Sequence, residues 1–234
     1  MKYFLIGNGS IGRRGQINEL EPFDKIIVEH TKKDNPNFLF IGLASSFADS
    51  YYDIMKNNYK RIGCNTSYLK KSNLVNNPDI VKKKIFDADI IYLGGGDSKK
   101  LLDSIKEYHL DQLLKESKAI IVGISAGANV LCNKGLSDYE IENNISNNYV
   151  FVDGLSFINI NLCPHGEDEK RLSDISLDKS INKVLILPTN TMIEVDNNKI
   201  KSYSINDEKV ILREYKSNTI IDTEVNELSI ESII

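Results

Sequence analysis

The chain has 234 residues, 41% of them hydrophobic, with 29 Lys and Arg against 33 Asp and Glu and a formal net charge of −4. That length and apolar content suit one sizeable α/β domain with its own core, taken as 1–234. Basic residues form no stripe, which argues against nucleic acid, and no apolar run approaches the ~20 residues that span a bilayer, which argues against a membrane partner.

The opening "MKYFLIGNGS" is too short an apolar stretch for a secretory leader, so a cytoplasmic protein is expected. Cys64, Cys132 and Cys163 are widely spaced without a CxxC pair, which fits reduced core thiols and neither a disulfide framework nor a zinc site. In chain order, "KYFLIG" predicts a strand followed by a glycine-rich loop, and "KIIVEH" a short strand. "NFLFIGLAS" predicts a strand and "SFADSYYDIMKNNYKRIG" a helix. "NTSYLKK" reads as a strand, and "NPDIVKKKIFDA" as a helix with Asn77 at the N-cap and Pro78 at its first position. "DIIYLGGG" is a buried strand ending in glycines, "SKKLLDSIKEYHLDQLLKES" a helix or helix pair, "KAIIVGIS" a buried strand, and "AGANVLC" opens a helix. After Asn133, "YVFVDGLSFININL", "KVLILP", "MIEVDNNKIKSYSI" and "KVILREYK" predict strands joined by Asn, Asp and Gly turns. Continuously apolar strands alternating with helices predict a mostly parallel sheet covered on both faces, ending in a β hairpin or meander.

Two glycine loops carry chemistry. "GNGSIG" sets Gly7, Gly9 and Gly12 directly after the first strand, with Glu29 at the end of the expected second strand. This is the layout of a dinucleotide fingerprint, although the polar "GRRGQINELEPFD" that follows lacks the apolar helical face such a motif needs. Gly123-Ile124-Ser125-Ala126-Gly127 fits G-x-S-x-G with a strand before and a helix after. On such a turn the serine Oγ is exposed, the Ala126 amide can bind an oxyanion, and Gly95 and Gly96 at the end of the adjacent strand can supply a second amide. A serine hydroxyl needs a base. Of the three histidines, His30 lies near the expected second strand and His109 on a predicted helix or helix junction as a surface or packing residue, whereas His165 in "NLCPHGEDEKR" follows an apolar strand at its end, the same kind of place as Ser125, and is the best candidate base.

In this order and spacing, "YLGGGDSKKLL", "IIVGISAGANVL" and "NLCPHGEDEKR" resemble the peptidase E (α-aspartyl dipeptidase) family, which includes cyanophycinases, and in particular its peptidase E-like branch. The resemblance runs from the first strand to about "IEVDNN". It implies a flavodoxin-like sheet related to class I glutamine amidotransferases, and a serine hydrolase without metal or cofactor acting on small peptides. It further implies Ser125 as nucleophile, His165 as general base, and the amides near Gly95, Gly96 and Ala126 as oxyanion hole.

The chain departs from the family at three places. Asp97 stands where the family has asparagine after the glycine pair. The triad acid of characterised relatives falls on Thr189 of "LPTNTMIEV"; Asn190 beside it can orient an imidazole by hydrogen bonding, Asp138 of "GLSDYE" is an alternative orienter or pocket-shaping group, and Glu194 faces elsewhere along its strand. The family's substrate-binding arginine falls nearest Asp168, leaving Arg171 or Lys170 to substitute or to serve as solvated helix charges. Two other readings stay open beside the hydrolase: a degenerate pocket protein that binds without turnover, and a dinucleotide-binding protein using "GNGSIG". Homodimers are common among enzymes of this size, and nothing in the sequence marks an interface for one.

Overall fold

The structure is a computed structural model and describes residues 1–12, 17–216 and 219–230. The first half alternates strand and helix: β1 (Tyr3–Ile6), α1 (Glu21–His30), β2 (Asn37–Ile41), α2 (Ala48–Arg61), β3 (Asn65–Leu69), α3 (Lys71–Asn76), α4 (Pro78–Asp87), β4 (Ile90–Leu93), α5 (Ser98–Glu107), α6 (Leu110–Glu116), β5 (Ile120–Ile124) and α7 (Ala126–Leu131). The second half is richer in strands: β6 (Cys132–Ser137), α8 (Tyr139–Glu142), β7 (Val150–Asp153), β8 (Ile158–Pro164), α9 (Glu169–Asp174), β9 (Lys183–Leu187), β10 (Thr191–Asp196), β11 (Lys199–Ser204), β12 (Ile211–Lys216), β13 (Thr219–Glu224) and β14 (Glu227–Ser229).

These strands form two sheets. The larger has the order β14-β11-β10-β1-β5-β4-β2-β3, with β1, β5, β4, β2 and β3 parallel and the remainder added antiparallel at β1. The smaller has the order β13-β12-β9-β8-β6-β7, with a parallel centre of β6, β8 and β9. The parallel α/β core is the expected one. The C-terminal meander is divided instead: β10, β11 and β14 extend the larger sheet, while β12 and β13 join a second sheet that the strand pattern did not announce.

Side chains of the larger sheet alternate between two apolar layers, as strand geometry requires. Phe4, Ile6, Phe38, Phe40 and Tyr92 face Phe23 and Ile27 of α1 and Met55 and Tyr59 of α2; the Phe38 and Tyr59 rings stack with centroids 3.8 Å apart. Leu5, Leu39, Ile91 and Ile121 face the other way, onto Leu101 and Ile105 of α5, Val130 and Leu131 of α7, and Leu162 and Leu185 of the smaller sheet. The far side of the smaller sheet buries Leu136, Cys163, Val184 and Ile186 against Ile175.

The segment "KIIVEH", expected as a strand, is the end of α1. Its β-branched run suggested extended structure, but the helix starts upstream with Pro22 in its first turn and Glu21 and Asp24 beside its positive end. Phe23 and Ile27, one turn apart, are its buried face. Among the described residues no helix is long and apolar enough to cross a membrane.

Candidate active site

Ser125 sits between β5, whose residues are all buried, and α7. Its backbone is at φ 51°, ψ −110°, a sparsely populated conformation for a residue with a Cβ. Packing holds it there. The Ser125 amide donates to Ile6 O at 3.0 Å on the neighbouring strand. The two flanking glycines are enforced by contact: a Cβ on Gly127 would lie 2.2 Å from Leu93 O, and one on Gly123 would lie 2.4 Å from Gly127 O. Strand and helix approach too closely for any side chain at either position.

His165 follows β8 with φ 57°, another left-handed residue, and Gly166 after it donates to Leu187 O at 3.1 Å. This turn brings His165 Nε2 to 2.8 Å from Ser125 Oγ. With Nε2 unprotonated, the hydroxyl is the donor. The pair therefore joins the larger sheet, which carries the serine, to the smaller sheet, which carries the histidine. Burial pushes the imidazole below the ordinary histidine value and the Arg171 charge adds to that, while Glu167, Asp138 and Asp168 pull the other way. A neutral imidazole is the form that accepts a proton.

The Ser125 contact is the ring's one hydrogen bond, and no carboxylate lies within 4.0 Å of its nitrogens, among the described residues. The carboxylate acting most strongly on the ring is Glu167, two residues on. Thr189 holds it: the Thr189 amide donates to one carboxylate oxygen at 2.9 Å and the Thr189 hydroxyl donates to the other. Burial alone would raise the Glu167 carboxyl, but these hydrogen bonds and the nearby His165 keep it below the ordinary range. An acid is thus anchored at the position where the family's acid was expected, supplied from a different segment. Sequence reasoning missed Glu167 because it reads as one of several solvated acids in "GEDEKR".

The other expected groups are placed elsewhere. Asn190 does not reach the imidazole; its amide donates to Asn8 O at 2.9 Å and its side chain lies beside Gly9. Glu194 does face away, bonded to Lys2, Tyr203 and His30. Asp138 pairs with Arg171 at 3.1 Å and not with His165. Arg171, expected for substrate, is only 5% exposed and committed to the fold. It donates to Leu136 O at 3.2 Å and to Asp138, and its guanidinium lies over the Tyr149 ring at 4.1 Å. Lys170 pairs with Asp174 at 2.7 Å. Asp97 caps α5, its side chain accepting from the Lys100 amide at 2.9 Å.

Beside Ser125 and His165 opens a pocket of about 360 Å³. Gly95 and Gly96 line it, and a Cβ on Gly95 would lie 3.7 Å from Ser125 Cβ. The amides of Gly95, Gly96 and Ala126 donate no backbone hydrogen bond among the described residues. Asn8, Gly9, Ser10 and Ile11 form another wall. This placement revises the dinucleotide reading of "GNGSIG". No helix opens within the motif, α1 starts only at Glu21, and Glu29 lies on that helix, not at a strand end. Gly7 has an internal reason to be glycine, since its Cβ would lie 2.3 Å from Pro188 O. Arg13 and Gly15, in the polar segment after the motif, lie outside the described residues. Among the described residues no cluster of His, Cys, Asp and Glu could hold a metal ion.

The family model for peptidase family S51 matches residues 3–203. An "Uncharacterized peptidase YgaJ" of Bacillus subtilis (strain 168) is 29% identical over 152 residues, 63% of this chain and 62% of that protein, so the match spans less than two thirds of the relative's length. A crystal structure of a peptidase from an acI-B1 Actinobacterium superposes with a TM-score of 0.72 at 20% identity, covering 97% of this chain and 96% of that one. A structure described as "a Putative Peptidase E Protein from Listeria monocytogenes EGD-e" superposes with a TM-score of 0.64 at 16% identity, covering 88% of this chain and 98% of that one. At these identities the two structural likenesses concern the fold.

Proposed function

Because the chain belongs to peptidase family S51, we propose that it is a serine hydrolase of the peptidase E type, cleaving small peptides or related amides. Ser125 Oγ attacks the carbonyl carbon as its proton passes to His165 Nε2. The C–N bond then breaks as His165 returns that proton to the leaving amine, giving an acyl-enzyme; a water activated by His165 releases the acid and restores the serine. The amides of Gly95, Gly96 and Ala126 are the donors that meet the oxyanion. Glu167, fixed by Thr189, supplies the negative charge that favours the imidazolium formed in the transition state. The three free, buried cysteines support a cytoplasmic location.

The observation that carries this reading is the 2.8 Å contact between Ser125 Oγ and His165 Nε2 at a strained strand–helix turn. A fluorophosphonate probe tests it: the wild type should be labelled and Ser125→Ala should not, and equal labelling of both would refute the assignment. One observation favours a second reading, a pocket that binds without turnover: no carboxylate touches the His165 ring among the described residues. That reading predicts no labelling and no hydrolysis across a dipeptide library.

A further inference from the structure

The pocket beside Ser125 has a marked chemical character. Its inner wall is aromatic, from Phe40, Tyr51 and Tyr92, and two carboxylates line it, Asp138 and Glu142. No lysine or arginine lines it among the described residues. The nearest guanidinium, Arg171, is buried and turned to Leu136 O, Asp138 and the Tyr149 ring. Glu142 has no cation within 4.0 Å among the described residues. Glu142 stands at the open side of the pocket; partial burial, then the charges of Asp138 and Asp97, raise its proton affinity, and the Arg171 charge opposes them. A separate feature also asks for a polar ligand. Tyr92, 1% exposed, lines the pocket, and its buried hydroxyl has no hydrogen-bond partner among the described residues.

Resting on the serine-hydrolase reading, we propose that this pocket selects substrates bearing a cationic nitrogen close to the scissile amide, with Glu142 as the specificity-determining carboxylate, Asp138 beside it already paired with Arg171, and the aromatic wall as the cation's apolar seat. Carboxylates facing an ammonium or guanidinium group across a partly desolvated pocket are attractive, and aromatic faces add cation–π contact. The same arrangement repels an acidic side chain, so selection acts in both directions. The cationic nitrogen is either the peptide's α-ammonium or a Lys or Arg side chain.

Titration calorimetry on Ser125→Ala tests binding without turnover. The probes are lysinamide, N-acetyllysinamide, leucinamide, N-acetylleucinamide and N-acetylaspartamide. Lysinamide, which carries both cations, should bind at least tenfold more tightly than the last two. Retention by N-acetyllysinamide assigns the side chain as the source, and retention by leucinamide assigns the α-ammonium. Glu142→Gln should weaken cation binding about tenfold and Glu142→Lys should abolish the preference, with the melting temperature unchanged. Equal or tighter binding of N-acetylaspartamide overturns the proposal; if that binding disappears in an Arg13→Ala, Arg14→Ala double variant, the pocket's selectivity belongs to those arginines. Fluorophosphonate labelling of the wild type is read separately, so loss of the hydrolase reading is not confused with loss of the cation site.

Discussion

The two proposed catalytic side chains share an unusual backbone, since Ser125 and His165 both have positive φ. A serine between glycines after an apolar strand, and a histidine after "CP" at another strand end, were legible because such turns leave a local signature in residue size and order. Glu167 was not legible. Its role depends on Thr189, 22 residues away in sequence and adjacent only in the folded chain. The titration of His165 gives a prediction at this scale. Burial lowers its pKa, and the neutral imidazole is the working form, so kcat/KM should hold to lower pH than for an ordinary histidine and fall only below about 6.5. The Glu167 charge raises that pKa. Glu167→Gln should therefore move the acid limb to still lower pH while reducing kcat about tenfold, as expected for a charge acting through space without a direct hydrogen bond. A pH–rate profile of both proteins reads the two effects independently.

At the level of elements, the turn from β5 to α7 is set by contact between backbones. Gly127→Ala would press a Cβ onto Leu93 O at 2.2 Å, against backbone that cannot yield, and should cost about 3 kcal/mol or more in urea unfolding. Gly95→Ala meets its nearest atom at 3.6 Å, an ordinary contact, and should change stability by less than about 0.5 kcal/mol. If both variants unfold at the wild-type midpoint, the close approach described for the elbow is wrong. Most strands and helices could be read from apolar runs and breakers. One exception, α1, shows which signal prevails: the Ile26-Ile27-Val28 run favours a strand locally, yet Pro22, the acidic first turn and one buried stripe win once Phe23 and Ile27 find the larger sheet. The strand β6, "CNKGLS", is too polar to be recognised without its partners β8 and β7.

On the scale of the whole molecule, the division of strands between two sheets was hidden from sequence, because pairing depends on which edges meet and not on any strand's composition. One buried acid has a consequence at this scale. Asp24 lies where α1, α2 and the Asn18 segment meet, accepting hydrogen bonds from Asn18 at 3.0 Å and Tyr59 at 2.9 Å. Burial outweighs these bonds and pushes its carboxyl up to about 6 from 3.8. The folded state thus binds this proton more tightly than the unfolded chain does. Stability from this group is greatest below about pH 4 and falls as pH rises towards 6, by about 3 kcal/mol, remaining at that lower level above it. Asp24→Asn should flatten this slope, and urea unfolding at pH 4, 5, 6 and 7 would show a slope unchanged from wild type if the carboxylate is not the titrating group.

The bond between Ser125 and His165 spans the seam between the two sheets, whose shared apolar layer includes Leu5 and Ile193 on one side and Leu162 and Leu185 on the other. Such a bond works as a clasp, and its length is a gauge of slippage. A slip of about 1 Å at this seam would leave each sheet's own ladder intact and still slow proton transfer by on the order of 10²-fold. Turnover should then be lost at urea concentrations where the circular dichroism of both sheets is still native. Coincident loss of the two signals would show that the layers move as one body. Inactivation of this protein would in that sense be mechanical before it is conformational.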